Sequence, residues 1–194
     1  MKNIKTVITA TIALFFIGCG TPASTDTTTT ASSEKTAEVV YTTKNEILDA
    51  INHARGEARD CNDGLGLVGP VEALSWSDEL HASSYEHSSD MAESNTFEHM
   101  GSGTASDITG SNLEKASTFN ERIEANGYVG YYSIGENIAG GQESIEEVMV
   151  AWLSSPAHCT NIMSSNFTEV GVAIVANPES EYGIYWTQNF GSKK

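Results

Sequence analysis

Helical periodicity fills the earlier part of this chain and strand patterns gather at its end, with no alternation of strand and helix between them. That order excludes a parallel doubly wound sheet, in which a helix follows each strand, and predicts an α+β domain with helices covering a sheet. Thr43 with Glu46 reads as a capping box, and Ile47, Leu48, Ile51, Ala54 and Ala58 recur at helical spacing until Cys61-Asn62-Asp63-Gly64 breaks the pattern. A second helix is predicted from about Ser77 to Ser94, with Leu80, Ser84, Tyr85, Ser88 and Met91 on a mixed face. Thr118 and Glu121 cap a third, which carries Phe119 and Ile123 and closes at Asn126-Gly127. Tyr128 to Ile134 reads as extended. Two strands, Glu169 to Val175 and Tyr182 to Phe190, end the domain around a turn at Asn177-Pro178-Glu179-Ser180.

Ahead of this domain, Lys2 and Lys5 precede an apolar run from Val7 to Ile17 and then Gly18-Cys19-Gly20, the layout of a secretion signal. The run is too short to span a bilayer. Its Phe16-Ile17-Gly18-Cys19 ending resembles a bacterial lipobox, with Phe16 where leucine is usual, which makes Cys19 the acylated first residue of the mature protein. A plain signal peptide that discards Cys19 is the alternative. The organisation expected is therefore a lipoprotein signal over residues 1–18, a lipidated tether over 19–42 and a folded domain over 43–194. The tether is mostly Thr, Ser and Ala, too poor in large apolar residues to repay ordering, and would reach roughly 65 Å when stretched. The expected setting is extracytoplasmic, with the lipid bilayer as a partner through Cys19. The formal charge of -16 leaves no basic face for phosphates, so nucleic acid is excluded as a partner.

The stretch from Gly135 to Met163 carries the chemistry. Gly135-Glu136-Asn137 places a carboxylate among small residues that allow close backbone approach. An amphipathic helix from Ser144 to Leu153 follows, capped by Ser144 and Glu147, buried through Ile145, Val148, Met149 and Trp152, and stopped by Pro156. His158 comes just after that stop, so Glu136 and His158 are expected at the two ends of one helix, where folding can bring them into a common cleft. His99 precedes a polar loop from Gly101 to Ser111, which either lines a site or is a dispensable insert. His81 and His87 lie six apart on the second helix, point in different directions and read as packing or surface residues. Once Cys19 is lipidated, Cys61 and Cys159 remain as an exported pair that is expected to bond; joint ligation of zinc is the rival.

Taken in order, Leu74-Ser75-Trp76, Asp90-Met91-Ala92, Phe97-Glu98-His99, Asn126-Gly127-Tyr128, Gly135-Glu136-Asn137-Ile138-Ala139, Ala151-Trp152, Ser155-Pro156-Ala157-His158, Asn161-Ile162-Met163, Val170-Gly171-Val172 and Tyr185-Trp186-Thr187-Gln188 resemble the CAP superfamily in its short bacterial SCP-like form. The resemblance runs from about Thr43 to Gly191. It implies a three-layer α-β-α sandwich with a central antiparallel sheet and an open cleft. In that family two histidines and two acids of the cleft can bind a divalent cation, and the matching positions here are His99, His158 and Glu136. The second acid has no match at the usual place, and Asp107 is the nearest candidate.

Two neutral imidazoles and a carboxylate suit zinc with a water in an open position, and the same groups without metal can act as base and acid. No Gly-x-Ser-x-Gly stretch supplies a nucleophile, and Cys159 is expected to be bonded. The function expected is recognition of a small-molecule, lipid or envelope ligand in the cleft, without catalysis. A metal-assisted hydrolase using His99, Glu136 and His158, and a purely structural polar network, are the alternatives.

Overall fold

The computed structural model describes residues 42–194. The expected leader, the acylated Cys19 and all of the tether except Thr42 lie outside the described residues.

Local sequence sets the helix starts. Thr43 and Glu46 satisfy each other's backbone amides at the head of α1 (Lys44–Arg55), and Gly56 closes it. Ser77 caps α2 (Asp78–Ser94), which ends where Asn95 turns left-handed at φ 56°. Two short helices follow, α3 (Ile108–Leu113) and α4 (Phe119–Ala125), the second opened by Glu121 reaching back to the Thr118 amide at 2.9 Å. Ser144 caps α5 (Ile145–Ser154), and Pro156, at the first position of a new helix, opens α6 (Pro156–Ile162) where a single continuous helix would have clashed.

The strands are β1 (Arg59–Asp60) and β2 (Leu67–Val68), which form a small hairpin, and β3 (Ser75–Trp76), β4 (Tyr131–Gly140), β5 (Glu169–Ala176) and β6 (Ile184–Lys193), which form a sheet in the order β3-β5-β6-β4. Its three long strands are antiparallel, as expected; the two-residue β3 adds to β5 in parallel, which sequence patterning does not reveal. One face carries α1, α5 and α6 over a core that includes Ile51, Val148, Trp152, Ile162, Val172 and Trp186. The other carries α2, whose serines bring it close: Ser84 donates to the Gly171 carbonyl at 3.0 Å and Ser88 to Thr187 Oγ1 at 2.8 Å. Helices on both faces of a mainly antiparallel sheet make the three-layer α+β sandwich.

Cys61 and Cys159 form a disulfide, with Cα atoms 5.5 Å apart and 98 residues of separation in sequence. It ties the segment after α1 to α6. Below it Arg55, fully buried, donates to the carbonyls of Ile162 at 2.6 Å and Ser164 at 2.9 Å and so satisfies backbone acceptors at the end of α6.

Two expectations shift. The extended run anticipated over Tyr128 to Ile134 lies further on, over Tyr131–Gly140, so Glu136 stands inside a strand and not at an element end. The loop from Gly101 to Ser111 contains the start of α3 and is fastened to α2: Asp90 accepts from the Ser102 amide at 2.7 Å and from Ser106 Oγ at 2.6 Å, and Glu86 accepts from the Thr109 amide at 2.8 Å.

Candidate functional site

The site is built across β4, an edge strand of the sheet. Alternation along a strand sends Glu136 and Asn137 to opposite faces. Glu136 enters the layer of α2 and α4. Asn137 faces α6, where its Nδ2 donates to Gln188 Oε1 at 2.9 Å and to the His158 carbonyl at 3.2 Å, while Asn161 donates to Asn137 Oδ1 at 2.9 Å. This amide ladder fixes the helix that carries His158 against the strand that carries Glu136.

Glu136 has 1% of its side chain exposed and both oxygens engaged. His99 Nδ1–H donates to Oε1 at 2.9 Å, and Arg122 Nη2 donates to Oε2 at 3.1 Å. Asn189, opposite Glu136 in β6, adds a bond to Oε2 at 3.2 Å in the amide orientation that also lets its oxygen accept from the Ser84 amide. Burial pushes the Glu136 carboxyl up, but the His99 hydrogen bond and the Arg122 guanidinium, joined by His87 once acid protonates it, outweigh this and hold the group below the usual carboxylate range.

His99 is different. Its side chain is 52% exposed. A carboxylate that accepts from Nδ1–H fixes both the tautomer and the ring orientation, which leaves Nε2 as an outward lone pair able to accept a proton, a hydrogen bond or a metal ion. His158 is half-buried on the other side of β4, and burial together with the like charge of nearby His99 holds it below the ordinary histidine value, so it is neutral at neutral pH. The structure thus joins His99 to Glu136 directly. It sets His158 within electrostatic range of His99, with no hydrogen bond between His158 and Glu136 among the described residues.

Asp107 lies deeper, 1% exposed, as the cap of α3. It accepts from Ser117 Oγ at 2.6 Å and from the amides of Ser117, Gly110 and Gly103, and against the pull of burial these bonds keep it ionised. Its link to Glu136 is indirect, through Ser117 to Arg122 Nη1 at 3.0 Å.

Two further residues belong to the cluster: Arg122, which the sequence reading does not single out, and His87, read there as a packing or surface residue. Arg122, fully buried, also donates to the His99 carbonyl at 2.8 Å, so it holds the His99 backbone and the Glu136 carboxylate together. His87, also fully buried, has Nε2 2.9 Å from the Glu98 carbonyl and 3.9 Å from Glu136 Oε1. Burial pushes its pKa down to about 4, so the ring is neutral at neutral pH and its approach to Glu136 is not an ion pair. The available signal for Arg122 was its place between Phe119 and Ile123 on the inward face of α4.

A family model described as CAP, the cysteine-rich secretory protein family, matches residues 48–190. The chain belongs to the CAP family. This CAP domain is 32% identical over 172 residues to YkwD, an uncharacterized protein of Bacillus subtilis, covering 89% of this chain and 55% of that one. It is 28% identical to YlbC, an uncharacterized membrane protein of the same organism, covering 82% of this chain and 37% of the relative. The chain thus spans about half, or less, of the length of these curated relatives. Among solved structures, an extracellular protein of Bacillus anthracis containing an SCP domain superposes with a TM-score of 0.55 at 25% identity, over 77% of this chain and 40% of that one. An outer surface protein of Borrelia burgdorferi superposes with a TM-score of 0.54 at 19% identity, over 79% and 97% respectively, and shares the fold.

Toward a cation this cluster offers two imidazoles, His99 and His158, with Glu136 behind the first. The Glu136 oxygens are committed to His99 and Arg122, and among the described residues no three His, Cys, Asp or Glu side chains are arranged to hold a metal ion. That leaves His99 and His158 as the two imidazoles a cation would have to use, with Glu136 behind His99 as an orienting partner and not a ligand.

Proposed function

We propose that this chain is an extracytoplasmic CAP domain, anchored to the envelope through an acylated Cys19, whose cleft binds a ligand through His99 with His158 opposite it. The observation that carries this reading is the 2.9 Å bond from His99 Nδ1 to a buried Glu136, with the ring half in solvent. Arg122 already compensates the buried carboxylate from inside the fold, so the further bond to a half-exposed ring serves to fix that ring's tautomer and aim. An extracytoplasmic setting is supported by the layout of residues 1–20, by the disulfide and by the relative from Bacillus anthracis described as extracellular. The lipid anchor rests on Phe16-Ile17-Gly18-Cys19 alone.

A divalent cation, zinc foremost, is the simplest probe of the imidazole pair. When bound, zinc supplies Lewis acidity to whatever ligand shares its shell. The chain's own residues aim His99 through Glu136, hold Glu136 through Arg122, and seat His158 through Asn137. Calorimetric titration of the full chain with zinc at neutral pH should show binding that His99→Ala or His158→Ala removes. Glu136→Gln should weaken it about 10- to 100-fold, as loss of an outer orienting partner does. Binding that survives removal of both histidines overturns this assignment. Hydrolysis of peptide or peptidoglycan substrates that Glu136→Gln abolishes would replace it with the hydrolase reading.

A further inference from the structure

Asp107 makes more bonds than its place at the head of α3 requires. Capping that helix takes one, from the Gly110 amide at 2.9 Å. Three others tie it to different parts of the chain: the Gly103 amide donates to Oδ2 at 3.1 Å, the Ser117 amide to Oδ2 at 2.9 Å and the Ser117 hydroxyl to Oδ1 at 2.6 Å. The chain closes tightly around this carboxylate. A methyl group at Gly101 would stand 2.2 Å from Asp107 Oδ2 and 2.5 Å from Ser117 Oγ, and one at Gly110 would stand 2.1 Å from Oδ2.

Ser117, fully buried, is the junction between Asp107 and the cleft. Arg122 Nη1 donates to its carbonyl at 3.1 Å and to its Oγ at 3.0 Å. A guanidinium only donates, so the direction of each bond is fixed: the Ser117 O–H points to Asp107, and a lone pair on the same oxygen receives Arg122. With Nη1 held there, the planar fork of Arg122 presents Nη2 to the His99 carbonyl and to Glu136. The same two residues grip the backbone that follows His99, since the Gly101 amide donates to the Ser117 carbonyl at 2.8 Å and the Gly103 amide reaches Asp107. The segment is therefore held at His99, Gly101 and Gly103, and the His99 ring is held through Glu136.

We propose that Asp107 is a positioning residue of the cleft: acting through Ser117 and Arg122, it keeps Glu136 against the His99 ring and so fixes the proton on Nδ1, without touching a ligand itself. This rests on the reading of His99 as the aimed ring of the cleft. It gives the second buried acid a role other than ligation.

The test reads the two ring nitrogens of His99 by nitrogen NMR on the full chain, without metal, at about pH 8, where histidine is neutral. In the unaltered chain Nδ1 should carry the proton and Nε2 the lone pair. Ser117→Ala, which removes the hydroxyl and leaves the amide bond to Asp107, should raise the Nε2–H population at least about threefold, and Asp107→Asn should raise it further. Glu86→Gln weakens the hold on the same loop at the Thr109 amide but lies off this path, so it should leave the tautomer unchanged. A proton that stays on Nδ1 in folded Ser117→Ala overturns the proposal, as does an equal change in Glu86→Gln. Where a variant does not fold, the unaltered chain decides: an anchored Arg122 should give separate Nη1 and Nη2 proton signals, and one averaged signal overturns the proposal. A proton found on Nε2 in the unaltered chain overturns the aiming of His99 itself, and this inference with it.

Discussion

His87 and Glu136 sit side by side in the interior, and both titrate in the direction that makes acid harmful. His87 is buried neutral, its pKa pushed down to about 4, whereas an unfolded chain protonates histidine near 6.5. Between those values the unfolded state binds the extra proton, so stability rises with pH through this window, is fully present above about 6.5, and is lost as pH falls toward 4. His158, also lowered, acts in the same sense, and Glu136, lowered below the carboxylate range, extends the loss to more acidic pH. The His87 contribution is on the order of 3 kcal/mol at most. Urea unfolding at pH 7 and pH 4.5 should show it, and His87→Gln, which keeps an N–H for the Glu98 carbonyl, should flatten the pH dependence. Glu136 and His158 were legible because small residues and a helix stop surround them, and His99 through its resemblance to a family motif. Arg122 was not, since a helical pattern assigns a charged side chain to solvent and what overrides that here is a partner far away in sequence; His87 was legible as a packing residue, but not its approach to Glu136. Asp107, read as a candidate second acid, is a cap whose bonds go to backbone amides and Ser117.

Helix α2 and strand β5 meet more closely than ordinary side chains allow. A methyl group at Gly171 would stand 2.1 Å from the His81 nitrogen and 2.4 Å from the Leu80 carbonyl carbon, both backbone atoms that cannot rotate away. Gly171→Ala should therefore cost more than the roughly 1–3 kcal/mol of an ordinary overpacked core, read as a lowered urea midpoint. The same displacement would carry His87 away from Glu136 and weaken ligand binding along with stability. Sequence reading placed α1, α2, α4 and α5 well, since each has a cap and an apolar stripe. It cut β4 short because Glu136 and Asn137 interrupt the apolar pattern; their polar partners Asn189 and Gln188 in β6 supply what alternation alone does not announce. The helical form of α6 and α3 was also missed, each being shorter than the span over which periodicity speaks.

At the scale of the whole molecule the Cys61–Cys159 bond encloses most of the folded domain, 98 residues from one cysteine to the other. Chain-entropy reasoning assigns a loop of that size about 4–5 kcal/mol, so reduction should lower the melting temperature, and Cys61→Ser with Cys159→Ser should do the same without reductant. The bond also has a bearing on damage. Every loop from β1 to α6 falls inside the enclosed stretch, including the segment from Asn95 to Asp107 that leads from α2 to α3. A protease that severs the backbone once within it cannot release a fragment, because both halves stay joined through sulfur. Such a nicked domain should run at full mass on a gel without reductant and as two pieces with it. Outside a cell, where proteases are shared by neighbours and damaged protein cannot be refolded from ATP, one cut would then be a wound the domain can carry.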